Sequence, residues 1–321
     1  MKYNYILLII GILIIFSVKS QTDSSKINLD EFEVTTTRVG NKSPVAHENI
    51  SNEDIEVNNH GVDLPILLDQ ATSIVTTSDA GAGVGYTGIR VRGSDATRVN
   101  ITINGIPFND PESQGAYWVN MPDLSSSTDG IQIQRGIGAS TTGASAFGAS
   151  INLSTLSTVN ANKPYGEIAN SYGSFNTLKN TIKLGTGLID GKWNFEGRLS
   201  KIVSDGFIDR SSSNLNSYYL SGSYLGEKTS IQAITFSGQE ITNQAWYGAP
   251  LSYLNSDLDS NQTYNPYDYE NEVDNYNQTH YQLHFTNKPK KNLKLNASFH
   301  YTRGKGYFEQ YVGTDFNSVM Y

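Results

Sequence analysis

The sequence predicts a mainly β protein, in which a small α+β domain precedes the strands of an antiparallel transmembrane β-barrel. From about residue 165 onward, apolar and polar residues alternate over runs of roughly ten residues, the length of a tilted strand that crosses a bilayer. Short and long connections also alternate, as expected of a barrel with turns at one rim and loops at the other. Residues 46–158 instead are rich in glycine and contain short strand-like segments and the helix candidates.

The alternation predicts individual strands. It is clearest in Leu293–Tyr301, where every second residue is apolar or aromatic. Because successive side chains of a strand point to opposite faces, such a strand has one apolar and one polar face. We predict seven strands, at about 166–174, 178–187, 192–203, 216–225, 229–239, 278–287 and 292–303. Single-chain bacterial barrels have even strand numbers, so we expect the barrel to be incomplete in this chain.

The connections give a second indication of a barrel. Three are short, at Leu188–Gly191, Gly226–Lys228 and Asn287–Lys291, and two are long, at Ser204–Leu215 and Glu240–Asn277. The pair Asp190-Gly191 is typical of a type I′ hairpin turn. A soluble β-sandwich, the alternative fold, also alternates inward and outward side chains, but it has no reason to alternate loop lengths. The loop lengths therefore favour the barrel.

The N-terminus has the pattern of a secretory signal peptide. Lys2 precedes an apolar segment, Ile6–Val18, and we expect cleavage after Ser20. The segment is shorter than the roughly 20 apolar residues of a transmembrane helix, so a membrane anchor is the less favoured alternative. The chain has no cysteine, which excludes a disulfide framework. Its formal net charge of -8 argues against nucleic acid as a partner.

Five short motifs follow one another between residues 64 and 153. They are a helix candidate at Leu64–Gln70, an Ile-Arg-x-Arg-Gly strand at Ile89–Gly93, a strand with an Asn-Gly turn at Val99–Phe108, a strand at Gly130–Gly136 and an exit strand at Ser150–Leu153. This order resembles the plug domain of TonB-dependent receptors. Two positions depart from the family pattern: Asn104 stands where Asp is usual, and Gly148-Ala149 stands where a glycine pair is usual.

The resemblance implies a division of the chain. Residues 1–20 are expected to be the signal peptide, 21–45 a periplasmic leader with a TonB-box, 46–158 the plug, and 159–321 the N-terminal part of the barrel. A whole barrel of this family is expected to have about 22 strands. The implied location is the outer membrane, with its lipid around the barrel.

A candidate TonB-box lies upstream of the plug. Its partner-binding residues are expected to be Asp30, Glu31, Phe32, Glu33, Val34 and Thr35. An extended segment near a free N-terminus adds to the sheet edge of a partner through main-chain hydrogen bonds. The implied partner is TonB, with its ExbB/ExbD motor. The alternative is an ordinary first strand of the plug sheet.

The resemblance also implies that the outer apices of the plug contact a small extracellular ligand. The candidate ligand-binding residues are Tyr86, Asp95, Asn109, Asp110, Tyr117 and Trp118. For Tyr117 and Trp118, packing against the barrel wall is an equally open role, because aromatic rings are large apolar groups.

Charged and histidine side chains are expected to face the barrel lumen. Arg90, Arg92 and Arg135 lie on predicted plug strands, and the resemblance implies that they form ion pairs with barrel glutamates. His280, His284 and His300 fit polar lumen side chains better than ligands of a metal or haem.

No catalytic constellation is present in the sequence. Gly83–Gly88 fits G-x-G-x-x-G, but it precedes a strand instead of opening a helix, so dinucleotide binding is not expected. We therefore expect no enzyme activity, no cofactor and no metal. The resemblance implies active import of a scarce ligand across the outer membrane, with an iron–siderophore complex first and haem or cobalamin next. The alternatives are an outer-membrane adhesin and an importer of glycans or oligosaccharides with the same architecture.

Overall fold

The computed structural model describes residues 37–40, 44–138, 143–155, 163–254 and 262–311. All of them belong to one compact unit, Glu31–Tyr321. The expected signal peptide and the expected TonB-box residues, 30–35, lie outside the described residues. Within the described residues, every helix is too short or too polar to cross a membrane.

The first part of the structure is a small α+β domain. Its elements are β1 (His47–Ser51), α1 (Asn52–Asn58), α2 (Leu64–Leu67), β2 (Ile74–Ser78), β3 (Thr87–Val91), β4 (Val99–Ile103), β5 (Ile106–Pro107), β6 (Gly130–Arg135) and β7 (Ala149–Ser154). Five strands form a mixed sheet in the order β1-β6-β7-β4-β5, in which β4 and β7 are parallel. Strands β2 and β3 form a separate hairpin.

The mixed sheet has two chemically different faces. Ile101, Ile133 and Ile151 lie on one face and are almost fully buried, as an alternating pattern requires. The other face carries buried polar side chains that bond to one another: Thr102 donates to Asn152 at 2.7 Å. Buried polar groups are tolerated when they are paired in this way. The sheet therefore combines an apolar core with a polar hydrogen-bonded surface.

Local signals explain several of these elements. Pro65 lies in the first turn of α2, and the β4–β5 turn has positive φ at Asn104 (57°) and Gly105 (76°), as a type I′ turn requires. The helix candidate and the Asn-Gly turn were both predicted. Helix α1 was not predicted, although the sequence contains its capping box: Ser51 caps the Asp54 amide, and the Asp54 carboxylate accepts from the Ser51 amide.

The second part is a seven-stranded antiparallel sheet whose strands pair in chain order. Its strands are β8 (Tyr165–Tyr172), β9 (Leu178–Gly185), β10 (Trp193–Ser204), β11 (Ser213–Leu225), β12 (Thr229–Asn243), β13 (Val273–Lys290) and β14 (Leu293–Phe308). A short helix, α3 (Leu251–Leu254), lies between β12 and β13. All seven predicted strands are confirmed, and the sheet is not closed in the described residues.

The two ends of this sheet differ as the sequence predicted. One end, here called the turn end, has the connections 186–192, 226–228 and 291–292, whereas the loop end has 173–177, 205–212 and 244–272, of which the first is short. Asp190 and Gly191 both have positive φ, which confirms the type I′ pair. The last four strands, β11 to β14, are longer than predicted, and the extra residues of β11, β12 and β14 lie at the loop end. Polar residues there weakened the alternation, although the strands continue.

The side chains of the seven strands separate into two faces. On β13, His280 and His284 point inward and are buried, whereas Tyr281 and Leu283 point outward and are exposed. The outward positions of neighbouring strands are also largely apolar, for example Ile182 and Leu199, which lie opposite one another. An apolar outer face and a polar inner face are the pattern of a transmembrane barrel. The small domain packs on the inner face.

Candidate functional site

The loop between β2 and β3, residues 79–86, contacts the loop end of the sheet. The backbone amides of Phe207 and Ile208 donate to the Ala80 carbonyl, at 2.7 and 3.2 Å. At the other end of the loop, the Tyr86 hydroxyl donates to the carboxylate of Asp274 at the start of β13. The loop is therefore held at one end by the connection 205–212 and at the other by the start of β13.

Aromatic rings surround this contact and form a surface that we call the vestibule, made of Tyr86, Trp246, Tyr247, Tyr267 and Phe308. The ring of Trp246 packs edge-on against Tyr86, with centroids 5.4 Å apart. Tyr247 stacks on Tyr267 at 5.1 Å, and Tyr247 is 76% exposed. Exposed, clustered aromatic rings are unusual outside binding surfaces, because they leave apolar area in water.

A cavity beside the vestibule is lined by charged, amide and tyrosine side chains. Its lining residues are Arg210, Asn243, Gln244, Tyr267, Asp268, Tyr269, Glu270 and Glu272. The Arg210 guanidinium donates to the backbone carbonyls of Tyr267 and Asn265, at 3.0 and 2.9 Å, so it supports the loop. Because three of the lining residues are carboxylates, the described part of this cavity is acidic.

The predicted ligand-binding residues are only partly brought together: Tyr117 lies near Tyr86, and Asp110 lies near Tyr276 of β13, two residues from Asp274. Tyr86 lies in the vestibule, whereas Asp95 follows the opposite end of β3 and accepts from the Thr97 amide at 3.0 Å. Asn109 binds the backbone of β4 through the amide of Ile101, at 2.7 Å. Asp110 accepts from two amides of its own loop. These three side chains therefore stabilise local turns, and their contact with a ligand stays a prediction.

The two predicted aromatic residues differ in exposure. Tyr117 is 46% exposed, whereas Trp118 is 3% exposed and begins a short 3-10 helix. The burial of Trp118 agrees with a packing role, which was the alternative to ligand binding, because a buried ring has almost no surface for a ligand to contact. Tyr117 is accessible, and its contact with a ligand stays a prediction.

The predicted arginine ion pairs with the barrel are not observed in the described residues. Arg135 instead forms an ion pair with Glu48 of β1, within the small domain, and donates to the Thr72 carbonyl at 2.8 Å. The reason is the register, since β1 and β6 are neighbours in the sheet and place Glu48 beside Arg135. For Arg90 and Arg92, pairing with barrel glutamates stays a prediction.

An ion cluster that the sequence did not reveal joins the small domain to the barrel. The Asp123 carboxylate lies 2.7 Å from the Lys179 ammonium on β9 and 3.2 Å from the Arg198 guanidinium on β10. Thr181 and Ser200 donate hydroxyl bonds to the same carboxylate, at 2.7 and 2.6 Å. Burial by itself raises the pKa of Asp123, but Arg198 and Lys179 outweigh this effect and hold that pKa below its usual range.

A second buried carboxyl, Asp63, has no ion-pair partner among the residues that the structure describes. It precedes α2 and accepts a hydrogen bond from Thr87 at 3.1 Å. Burial raises the pKa of Asp63 from 3.8 to about 7. The folded state therefore binds a proton that the unfolded chain releases near pH 4.

We expect this proton to make stability fall as pH rises. The contribution of Asp63 is fully present below the unfolded pKa near 3.8 and is lost as pH rises through about 7. Between pH 5 and pH 8, the resulting decrease in the free energy of unfolding is roughly 2–3 kcal/mol. Asp63→Asn mimics the protonated carboxyl and should reduce the pH dependence of the thermal midpoint in detergent. The exposed Asp69→Asn is the control, and an unchanged pH dependence in Asp63→Asn would refute this role.

The family comparison agrees with this architecture. Residues 40–150 match the sequence model of the family described as TonB-dependent Receptor Plug Domain. The small domain lies in that segment, with residues 151–154 of β7 beyond it, and packs on the inner face of barrel strands. Residues 40–150 therefore match the plug domain of TonB-dependent receptors, and the strands that follow share the fold of the barrel strands in solved receptor structures. The resemblance stated from the motifs is confirmed.

Solved structures of receptors share the fold. The ferric-catecholate import receptor Fiu from E. coli K12 is 17% identical, with a TM-score of 0.63 over 82% of this chain and 39% of that chain. The ferric citrate transporter FecA is 19% identical, with a TM-score of 0.63 over 86% and 42%. The alcaligin outer membrane receptor FauA from Bordetella pertussis is 16% identical, with a TM-score of 0.59 over 88% and 45%.

These likenesses concern the fold. The chain spans about two-fifths of the length of these structures. No curated protein sequence matches this chain.

Proposed function

We propose that this chain acts in TonB-dependent active import of a small ligand across the outer membrane. The observation that carries the proposal is the plug domain, docked on the polar inner face of strands whose outer face is apolar. A plug inside a barrel blocks passive flow, so import needs both a captured ligand and a means of moving the plug. Neither enzyme activity nor adhesion requires a plug that blocks a barrel and can be moved.

The orientation follows from the connections. In outer-membrane barrels the short turns lie in the periplasm and the long loops lie outside. The loop end, with the vestibule and Tyr86, then faces the exterior. The proposed signal peptide, 1–20, directs export, and the leader with the TonB-box, 21–45, lies in the periplasm.

The energy source must lie outside this membrane. A ligand held at nanomolar affinity is bound by about 12 kcal/mol and is not released inward without work. The outer membrane has neither ATP nor an ion gradient. TonB, driven by ExbB and ExbD in the inner membrane, is the proposed source of that work.

An iron–siderophore complex is the first proposed ligand, with haem or cobalamin next. The solved structures with this fold include receptors named for ferric catecholates and ferric citrate. The aromatic vestibule offers flat apolar surfaces, and the neighbouring cavity offers carboxylates. The carboxylates of the cavity favour a neutral or cationic iron complex over an anionic one such as ferric citrate, because like charges repel at short range; the solved structures therefore support an iron complex as the class of ligand and not its charge.

Energy-dependent uptake by cells tests the function. Cells that express the receptor at its natural length are given labelled ferrioxamine B, a cationic complex, ferric citrate, an anionic complex, haem or cyanocobalamin. We expect accumulation of at least one iron complex, best with ferrioxamine B, and loss of accumulation with a protonophore while surface binding persists. Accumulation that survives the protonophore, or binding of none of the four, would contradict the proposal.

A further inference from the structure

The cluster of Asp123, Lys179 and Arg198 is unusually enclosed for three ionised groups. The Asp123 side chain has no exposed surface, and those of Lys179 and Arg198 are 4% and 3% exposed. Charged groups are almost never fully buried unless they are paired. The two cations come from adjacent barrel strands, whereas the carboxylate comes from the plug, so the cluster holds together only while the plug is docked.

Each cation also binds other residues of the plug. The Lys179 ammonium donates to the Asn59 side chain at 2.8 Å and to the Ser126 hydroxyl at 3.1 Å. The Arg198 guanidinium donates to the Ser127 hydroxyl at 2.8 Å. The contacts therefore reach the end of α1 and the short 3-10 helix Leu124–Ser127.

The backbone of Asp123 supports the same interpretation. Its φ of 55° and ψ of 27° lie in the left-handed region, which costs a residue with a Cβ some free energy. Such conformations persist where the surroundings hold them in place. Here the surroundings include the Thr181 and Ser200 hydroxyls of the barrel, which bind the carboxylate. The strained residue is the one that contacts both barrel cations.

We propose that Asp123 is a positioning residue that docks the plug onto β9 and β10 through charge. Its polarity is opposite to that of the predicted arginine pairs, because the plug supplies the carboxylate and the barrel supplies the cations. Two cations share one carboxylate, so loss of that carboxylate leaves two like charges buried together. That is the costly case for buried ions, whereas removal of all the charges is often tolerated.

A leak assay in the receptor at its natural length tests this inference. Asp123→Asn is compared with a neutral triple variant, Asp123→Asn with Lys179→Gln and Arg198→Gln. The readouts are sensitivity of cells to vancomycin, which a closed receptor excludes, and the amount of folded barrel by heat-modifiable gel mobility. We expect Asp123→Asn to raise sensitivity at least tenfold at normal barrel levels. We expect the triple variant to return to within about threefold of the parent.

The test depends on which of the two variants leaks more. If the leak came from a packing defect, the triple variant would leak more than Asp123→Asn. The control is Glu196→Gln, which neutralises a carboxyl that lines the same cavity as Arg198 but forms no ion pair with Arg198 or Lys179 in the described residues. A folded Asp123→Asn receptor without leak, or a triple variant that leaks as much as Asp123→Asn, overturns the proposal. If Asp123→Asn yields no folded barrel, a triple variant that folds and stays closed supports it, and one that also fails to fold overturns it. Because leak needs neither ligand nor TonB, this outcome is independent of the import function.

Discussion

Val34→Pro in the receptor at its natural length is expected to leave ligand binding nearly unchanged and to reduce uptake to background. Proline removes a main-chain donor, and its ring disfavours close pairing, so it blocks strand addition to a partner. Val34 lies in the proposed TonB-box, three residues before Thr37, whose carbonyl accepts from the Gln134 side chain of β6 at 2.6 Å. A pull on the box is therefore delivered to the plug sheet, and ligand capture at the loop end does not depend on it.

The measurement separates bound from internalised ligand by a surface wash, with labelled ferrioxamine B as the probe. Val34→Ala is the matched control, because it shortens the side chain and keeps the amide. If binding and uptake disappear together, the segment belongs to the plug fold. If the proline variant imports at the normal rate, the segment is not a TonB-box.

Gly238→Val is expected to loosen the plug where it touches β12. A Cβ at Gly238 would collide with the Asn120 carbonyl and with the Pro122 ring, both of them in the plug. The backbone carbonyl cannot turn away as a flexible side chain does, so the plug segment must move. Overpacking of this kind costs about 1–3 kcal/mol. Amide exchange of residues 118–127 should therefore accelerate by roughly tenfold to a hundredfold, because protection reports the free energy of local opening.

Gly222→Val provides a matched control on the outward face of β11. A Cβ there meets only the Phe195 side chain, at 3.2 Å, and a side chain has room to rotate. Hydrogen exchange followed by mass spectrometry on the purified receptor compares the two variants. Equal acceleration in both would point to general damage of the strands, and no acceleration in Gly238→Val would show that the plug does not rest on this glycine.

The strands of this protein were predictable because their signal is local. Alternation over Leu293–Tyr301 and the turn pair Asp190-Gly191 each arise from neighbouring residues, and both correspond to the structure. The plug motifs were predictable for the same reason, since the Asn104-Gly105 turn is specified by two residues of special backbone freedom. Helix α1 had an equally local signal, the Ser51–Asp54 capping box, which the prediction did not use.

The pairing of charges was not predictable, because it depends on contacts between distant segments. Asp123 lies 56 residues before Lys179 in the chain, and no neighbouring residue in the sequence indicates that its side chain is buried. Inward-facing cations on β9 and β10 were a usable signal, since Lys179 and Arg198 occupy polar positions of alternating strands. For Arg135, the partner depended on the register of β1 against β6, which the sequence pattern leaves open.

The segment that precedes the plug is attached to the polar face of the plug sheet by side-chain hydrogen bonds. Val39 exchanges two hydrogen bonds with the Gln132 side chain, at 2.8 and 3.0 Å, and Arg38 donates to the Gly130 carbonyl at 2.9 Å. These contacts lie across the surface of the sheet and are not part of its ladder. Each such bond contributes only about 0.5–1.5 kcal/mol net, because water replaces it. The hydrogen bonds of a segment attached in this way break one after another under tension. A smaller force is therefore needed to detach it than to pull a strand out of the sheet, where several ladder hydrogen bonds must break together.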